Sequence, residues 1–401
     1  MAPSRNVIIA GAGIGGLTAA LALAQRGFRA VVLDPTERLE ETGAGIQLSP
    51  NATRVLIGLG LEQRLLTDAV EPEAVDVRAG RGQILARIPL GEYAAERYGA
   101  PYWVTHRGDL QAALLEAVQA NPDIVLKLGT RVEDFVVHGH GVTVAYRRGP
   151  SAADETGIAL ICADGLWSRL RQRLGHWKPP EFRQRTAWRA LIPAASVAPD
   201  LRTNVVRLWL GQGAHLVHYP VKAGTLINIV AIVDEHRDQR GQGWSEPGSR
   251  DEIVARFSAR RWAQLAFELI AMPERWHKWA LYDLPPLRRW GDGPVTLLGD
   301  AAHPMLPFLA QGAAMAIEDA VVLAASMARM PDDVPGAMRR YERVRRRRTR
   351  RAQRGARRNS RAYHLAGSEA FLRNLTLRAL GGKMLLRSYD WLYAWRPAPP
   401  K

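Results

Sequence analysis

The chain of 401 residues has one cysteine, Cys162, so an intramolecular disulfide is excluded and a reducing compartment, the cytoplasm, is expected. It is also short of acids: 39 Asp and Glu stand against 55 Lys and Arg, a formal net charge of +16. That excess is local. Residues 339 to 358 hold twelve arginines against one acid, Glu342, so +11 of the charge lies in one stretch. A nucleic-acid-binding arm would use such a run to neutralise phosphates, but binders of single strands interleave stacking aromatics, and Tyr341 is the only aromatic in it. The stretch therefore reads as a solvated helix, arginine being a good helix former, and no nucleic-acid partner is expected. Long apolar runs are scarce. Val7 to Ala24 carries no charge and is just long enough to suggest a membrane span, yet Gly11, Gly13, Gly15 and Gly16 would weaken such a helix, so no membrane partner is expected. No cleavage-site pattern stands apart from this run, and no signal peptide is recognised.

What the chain does carry is glycine at turn spacing. Gly11-Ala12-Gly13-Ile14-Gly15-Gly16 follows the strand-like run Asn6 to Ala10 and opens the Ala-rich helical run Leu17 to Arg26; a second apolar run, Ala30 to Leu33, then ends in Asp34. This strand-helix-strand order is the one a dinucleotide-binding G-x-G-x-x-G requires. The first glycine permits a tight turn, the second lets the backbone approach a pyrophosphate, and the third lets helix and strand pack closely. Phosphate then lies at a helix N-terminus, where unpaired N–H groups and the macrodipole favour it. Asp34 stands at the distance suited to a ribose hydroxyl.

Further along, Thr53 to Leu66 predicts a helix, Val75 to Ile88 alternates as strands, and His106 to Ala120 is an amphipathic helix. Ile124 to Leu128, Val132 to Val137, Val142 to Tyr146 and Ile158 to Ala163 read as strands. From Thr186 to Val233, β-branched and apolar runs broken by Gly and Pro predict the sheet of a second domain. Helical pattern covers Arg250 to Ala271, a strand Val295 to Leu298, and helices the C-terminal part; Asp238 to Arg250 reads as a surface loop, and no internal repeat is found.

Three motifs in order give the chain a family likeness: Gly11 to Gly16 with Asp34; Asp164-Gly165-Leu166-Trp167-Ser168-Arg169-Leu170-Arg171, a D-G-x-x-S-x-x-R pattern; and Gly299-Asp300-Ala301-Ala302-His303-Pro304 running on to Asp319. Together they resemble the single-component FAD-dependent aromatic hydroxylases of the para-hydroxybenzoate hydroxylase class, in particular the salicylate hydroxylase and 3-hydroxybenzoate 6-hydroxylase branch. The likeness runs over about residues 5 to 395, including Tyr389-Asp390-Trp391-Leu392-Tyr393 and the arginine-rich helix. It implies an α/β fold: a Rossmann-like FAD-binding domain (1–72, 105–180 and 286–340), an interleaved β-sheet substrate domain (73–104 and 181–285) and a C-terminal helical segment (341–401).

The resemblance also implies a chemistry. FAD takes hydride from NADH or NADPH and reacts with O2 to form a C4a-hydroperoxide, which attacks an electron-rich ring; the protein positions substrate and excludes water. Cofactor contacts are expected from Gly11, Gly13, Gly15, Gly16 and Asp34, from Gln47 and Arg107 beside the flavin, from Val132 by backbone at the adenine, and from Asp164 near the pyrophosphate. Asp300 is expected on the ribityl chain, with Pro307, Gly312 and Ala313 leading into a helix from Ala314 to Met327, whose N-terminus would favour charge on the reduced flavin. No metal is expected. His303 belongs to the flavin loop and is given no catalytic role.

A phenol reacts faster when deprotonated, so a base near its hydroxyl is expected. His215 and Tyr219, four apart, share a face of a strand and match a histidine and tyrosine that contact substrate in the 3-hydroxybenzoate and 6-hydroxynicotinate branches. Gln311 is expected to add a polar contact from the opposite side, while His218 points away and reads as structural. A histidine base at its ordinary pKa would make activity change across neutral pH. Trp188, Arg189, Trp209 and Tyr219 are expected to wall the pocket, with Arg189 or Arg207 pairing a substrate carboxylate. The alternative is an FAD oxidoreductase of the same fold without oxygen insertion; the W-x-W-x-I-P signature of flavin halogenases has only a partial echo in Trp188 to Pro193.

Overall fold

The computed structural model describes residues 6–39, 44–235, 246–258 and 262–397. Among these residues a six-stranded sheet runs in the order Gly291–Asp292, Val295–Leu297, Ala159–Cys162, Asn6–Ala10, Arg29–Leu33, Ile124–Lys127. Every pairing is parallel except the first. Its strands are short apolar runs, as expected where helices cover both faces. The glycine-rich turn sits at the C-terminal end of the central strand, followed by the helix Ile14–Ala24. Gly11 has φ +112°, and a Cβ on Gly16 would lie 1.9 Å from Gly11 O, so side chains are excluded at both by backbone geometry and contact.

A second sheet of eight strands runs Glu246–Ser249, Arg275–Asp283, Glu181–Pro193, Leu226–Asp234, Ala214–Val221, Val205–Gly211, Ala74–Ala79, Ile84–Pro89. It is antiparallel apart from the pairing of Val205–Gly211 with Ala74–Ala79. The two sheets are interleaved along the chain, since Ala74–Pro89 returns to the first unit through the helix Arg107–Gln119. One face of the large sheet carries Trp188, Trp209, Leu216, Ile229 and Ala231, packed under Ile253 and Phe257 and the helix Gln264–Ala271. The other face carries Ala187, Ile232 and Leu281, which pack against Leu306 and Phe308 of the loop after Asp300. Strand period two separates the two sets.

Several local expectations shift. Thr53 to Leu66 divides into Pro50–Gly58 and Glu62–Leu66, broken at Gly60 with φ +81°, and Arg250 to Ala271 divides into Arg250–Ser258 and Gln264–Ala271. The expected loop from Asp238 lies outside the described residues as far as 245; Glu246–Ser249 is an edge strand and Arg250 begins a helix. The helix expected from Ala314 to Met327 is Gly312–Arg329, longer at both ends.

The arginine-rich stretch forms the 30-residue helix Val334–Tyr363, and it is not simply a solvated face. Arg345 is wholly buried, donating to Asp319 Oδ1 at 2.6 Å and pairing with Glu318. Arg348 holds the same Glu318 at 2.6 Å and Arg357 holds Asp283 at 2.7 Å. Gln353 and Asn359 donate to the carbonyls of Pro304 (2.9 Å) and Phe308 (3.1 Å). The helix therefore braces the loop that follows Asp300. Arg345→Met should cost about 3–5 kcal/mol, because Glu318 and Asp319 would remain buried without their shared cation; urea unfolding would measure the loss, and a change within about 0.5 kcal/mol would deny the helix this role. No helix among the described residues is long and apolar enough to cross a membrane.

Candidate active site

Around the glycine turn the residues fit an anionic dinucleotide. Nothing stands within 4 Å of where a Cβ on Gly13 would lie, so the backbone is open to close approach there. The helix Ile14–Ala24 begins with no side-chain cap and no acid in its first turn, leaving its N–H groups to a phosphate. Gly15 packs under Leu298 and Ala316 instead, which is the close-packing role. Asp34 is buried; it accepts from Ala12 N at 2.6 Å and Thr36 N at 2.9 Å, and so fixes the turn. Val132 is half-buried at a bulge in the strand Thr130–His138.

The D-G-x-x-S-x-x-R segment ties this region to the late motif. Ser168 Oγ accepts from Arg171 N at 2.9 Å and caps the short helix Arg169–Arg173, while Asp164 Oδ2 accepts from Leu170 N at 3.2 Å. Asp164 Oδ1 and Gln111 Oε1 are buried and have no partner among the described residues. Burial pushes the Asp164 carboxyl up. Arg171 is buried and donates to Ala301 O at 3.0 Å, so the middle motif holds the turn carrying Asp300. Its long reach was visible as a motif position but not as a partner of that turn.

Asp300 lies on the 3₁₀ turn Gly299–Ala301. The residue is exposed, with protein gathered around it, the setting of a group lining a recess. That enclosure raises its pKa, against the pull of His303, Arg107 and Arg171. Arg107, first residue of its helix, donates its backbone N–H to Ala44 O at 2.8 Å. A Cβ on Gly312 would lie 3.9 Å from Asp300 Oδ1, and Gly312 and Ala313 are half-buried at the N-terminus of Gly312–Arg329, which has no acid in its first turn. Pro307 opens the 3₁₀ turn Pro307–Leu309, ended by Ala310 at φ +52°. His303 bonds Asp319 Oδ2 at 2.5 Å, and the same oxygen accepts from Gly299 N at 3.1 Å, so this histidine anchors the turn. Burial would raise the Asp319 carboxyl, but His303 and Arg345 hold it below its ordinary value. Open backbone, orphaned polar oxygens and a recessed carboxylate suit FAD.

His215 and Tyr219 are buried on the inner face of the large sheet. The His215 ring centroid is 5.1 Å from that of Phe308, so it meets the loop that follows Asp300. Tyr219 meets the strand Gly45–Leu48: a Cβ on Gly45 would lie 2.6 Å from its ring, and Gln47 of that strand accepts from Tyr102 Oη at 2.8 Å. Burial raises the Tyr219 phenol. Asn228, directly across from Tyr219, accepts from Gly45 N at 2.7 Å, while its Nδ2 is buried without a partner among the described residues. Asn228 was passed over in the sequence, although it is the lone amide inside the apolar run Leu226 to Val233.

Three expectations are corrected here. Arg207 pairs across the ladder with His218, not with the His215 side, and shares the outer face with Trp209; it cannot serve a ligand held by His215. Trp188 and Trp209 likewise fill the outer core and do not wall the pocket. Arg189 is on the inner face, over the Trp279 ring at 5.0 Å. Gln311 donates to Ser49 Oγ at 2.8 Å and accepts from Asn51 at 3.2 Å, so its amide is oriented by Ser49 and Asn51. Burial, then His364 and Arg185, push the His215 pKa well below its ordinary value, so a base here gives activity flat through neutral pH.

His218 behaves differently. It stacks near Trp209, which donates to its Nδ1 at 3.3 Å, and burial pushes its pKa down to about 3. The unfolded chain, with histidine near 6.5, takes up the proton first. Stability from this group is complete above about 6.5 and is lost as pH falls toward about 3, by about 1.4 kcal/mol per pH unit. Denaturation at pH 7 and pH 5 should show this slope, and His218→Gln should reduce it; an unchanged slope would refute the assignment.

Comparison with known proteins settles the family. A family model described as FAD binding domain matches residues 4–356. The 3-hydroxybenzoate 6-hydroxylase 1 of Aquipseudomonas alcaligenes is 37% identical over 390 residues, covering 97% of each chain. This chain belongs to the FAD-dependent aromatic hydroxylases. Among solved structures the hydroxylase is similar to a salicylate hydroxylase substrate complex (TM-score 0.82, 26% identity, covering 99% of this chain and 97% of that one). It is also similar to Klebsiella pneumoniae HpxO complexed with FAD and uric acid (TM-score 0.83, 28% identity, 96% and 95%). The α/β architecture and FAD expected from the motifs hold, and the hydroxylase is an FAD-dependent aromatic monooxygenase.

Proposed function

We propose that the hydroxylase acts on a phenolic aromatic carboxylate, with NADH or NADPH and O2, and that His215 is the base that receives the phenol proton. The observation that carries this reading is that His215, Tyr219, Asn228 and Arg189 share one sheet face, and that this face meets both flavin-side segments, Gly45–Gln47 and Phe308. Bound FAD supplies the redox and oxygen-transferring chemistry. Gly11, Gly13 and the start of Ile14–Ala24 would hold its pyrophosphate, Asp34 a ribose, Asp300 the ribityl chain, and Gly312 and Ala313 the pyrimidine edge.

The remaining steps belong to side chains. Arg189 fixes the carboxylate by a charge-assisted pair. Tyr219 and Asn228 orient the ring, and His215, held neutral by burial, accepts the phenol proton so that the ring carries more electron density when oxygen is transferred. Apolar neighbours, among them Phe308 and Ile232, keep water from the reacting carbon. The 37% identity to a 3-hydroxybenzoate enzyme, together with Arg189 on the inner face, favours an aromatic acid over the uric acid bound by the more distant HpxO. We divide the chain into the FAD-binding and substrate segments given above, and place the enzyme in the cytoplasm on the strength of its lone buried Cys162.

NADH and NADPH oxidation followed with hydroxybenzoates, with product identified, tests this function. Substrate-stimulated oxidation that yields a hydroxylated acid is expected. Oxidation that yields only hydrogen peroxide with every candidate would favour an FAD oxidoreductase that inserts no oxygen.

A further inference from the structure

His215 is the first member of a chain of hydrogen bonds that leads out of the protein. Its Nδ1 lies 2.8 Å from His364 Nε2, and His364 Nδ1 lies 2.5 Å from Asp234 Oδ1. Accessibility rises along the line: His215 is 2% exposed, the His364 side chain 3% and the Asp234 side chain 34%. The three come from separate places, the strand Ala214–Val221, the residue capping the helix Val334–Tyr363, and the end of the strand Leu226–Asp234.

With both imidazoles neutral, the order of partners fixes the tautomers. A carboxylate only accepts, so His364 carries a proton on Nδ1; in its neutral form its Nε2 is then the acceptor. His215 must then carry its proton on Nδ1, which leaves Nε2 with the lone pair to face a phenol. Arg185 Nε is nearer to Asp234 Oδ1, at 3.1 Å, than to His364 Nδ1, at 3.4 Å, so the guanidinium pairs with the carboxylate and leaves the ring N–H to the same oxygen.

We propose that His364 and Asp234 are a proton relay behind His215, setting its tautomer and carrying the substrate's phenolic proton to solvent. This rests on the base reading of His215. In the transfer the phenol O–H breaks and its proton joins His215 Nε2; the Nδ1 proton of His215 passes to His364 Nε2; the Nδ1 proton of His364 passes to Asp234, which releases it to water. The phenol keeps the electron pair, and both imidazoles end neutral, with Nδ1 and Nε2 exchanged until the rings reset. The relay answers a specific difficulty. A histidinium at the buried His215 would be desolvated and would face His364 and Arg185, which also disfavour it, whereas the relay leaves no cation there.

The groups packed around the pair fit this reading. Arg185 stands on the strand Glu181–Pro193, with Arg361 acting on it from the helix; Tyr363 lies edge-on to His215 at 5.3 Å; Phe308 and the strand neighbours Leu210 and Ile232 are apolar. Among the described residues Asp234 supplies a carboxylate to this set. No group of three His, Cys, Asp or Glu among the described residues could hold a metal ion.

The test needs no turnover. 3-Hydroxybenzoate bound to the FAD-loaded protein, without NADH or NADPH, is titrated by its phenolate absorbance, and proton release on binding is read with a pH indicator. In the unmodified protein the bound phenol should ionise at lower pH than free in solution. Asp234→Asn and His364→Leu should each raise that pH by about 1 unit or more and slow proton release, and Asp234→Glu should restore both. Asp234→Asn is nearly isosteric and part-exposed, so it keeps the test valid should His364→Leu fail to fold. If His215→Ala raises the ionisation pH while Asp234→Asn and His364→Leu leave it unchanged, the relay is refuted and the base survives. If His215→Ala also changes nothing, the base reading itself fails.

Discussion

Asp300→Ala yields a folded protein that no longer retains FAD through gel filtration. The carboxylate stands on a turn held from three sides, by Arg171 at Ala301 O, by Asp319 at Gly299 N, and by the helix-braced loop that begins at Pro304. Such a turn is built to present one side chain, and a hydrogen bond from a ribityl hydroxyl to a charged acceptor contributes about 1.5–3 kcal/mol, or roughly 10- to 100-fold in affinity. The raised pKa of Asp300 provides the control, since enclosure already disfavours the charged form. Removing it should leave the flavin-free protein at least as resistant to urea as before. A variant that keeps FAD with unchanged affinity would remove Asp300 from the cofactor site.

His215→Ala should lower the rate of ring hydroxylation by roughly 10²–10⁴-fold, the range for loss of a positioned general base, while FAD content stays unchanged. The pH profile separates this from a packing defect. With its pKa held well below the ordinary value, His215 remains neutral through the neutral range and on into acid, so the unmodified enzyme should show a level profile at neutral pH and lose activity only in acid. The alanine variant must wait for the phenol to ionise in water, so its residual rate should climb with pH toward the phenol's own pKa. Rapid-mixing measurement of the hydroxylation step across pH reads both. A variant with a level profile and nearly full rate would show that the phenol needs no base at this position.

The nucleotide end of the molecule was legible because its glycines answer to backbone geometry: Gly11 at positive φ and Gly16 against Gly11 O leave no other residue possible. Strand period was equally informative, and it paired His215 with Tyr219 correctly on one face. The same period could have separated Trp188 from Arg189; placing both in the pocket overlooked that neighbours on a strand point to opposite faces. Arg207 was misplaced for a different reason. Its face depends on the register with His218, which requires knowing how two strands pair. The arginine-rich helix was misread as solvated because its partners, Glu318, Asp319 and Asp283, lie 26 to 74 residues away in the chain. His364 left no local signal at all, since it meets His215 across 149 residues. Gln311 shows the limit of motif reasoning: its position at the start of the helix follows from the sequence, but the direction of its amide is decided by Ser49 and Asn51.

The most direct measurement is a crystal structure of the protein with FAD and 3-hydroxybenzoate. The account predicts an isoalloxazine between the loop beginning at Pro304 and the inner face of the large sheet, with the ring hydroxyl in hydrogen-bond reach of His215 Nε2 and the carboxylate on Arg189. A ligand seated away from His215, or a flavin ring lying elsewhere than against that face, would contradict it.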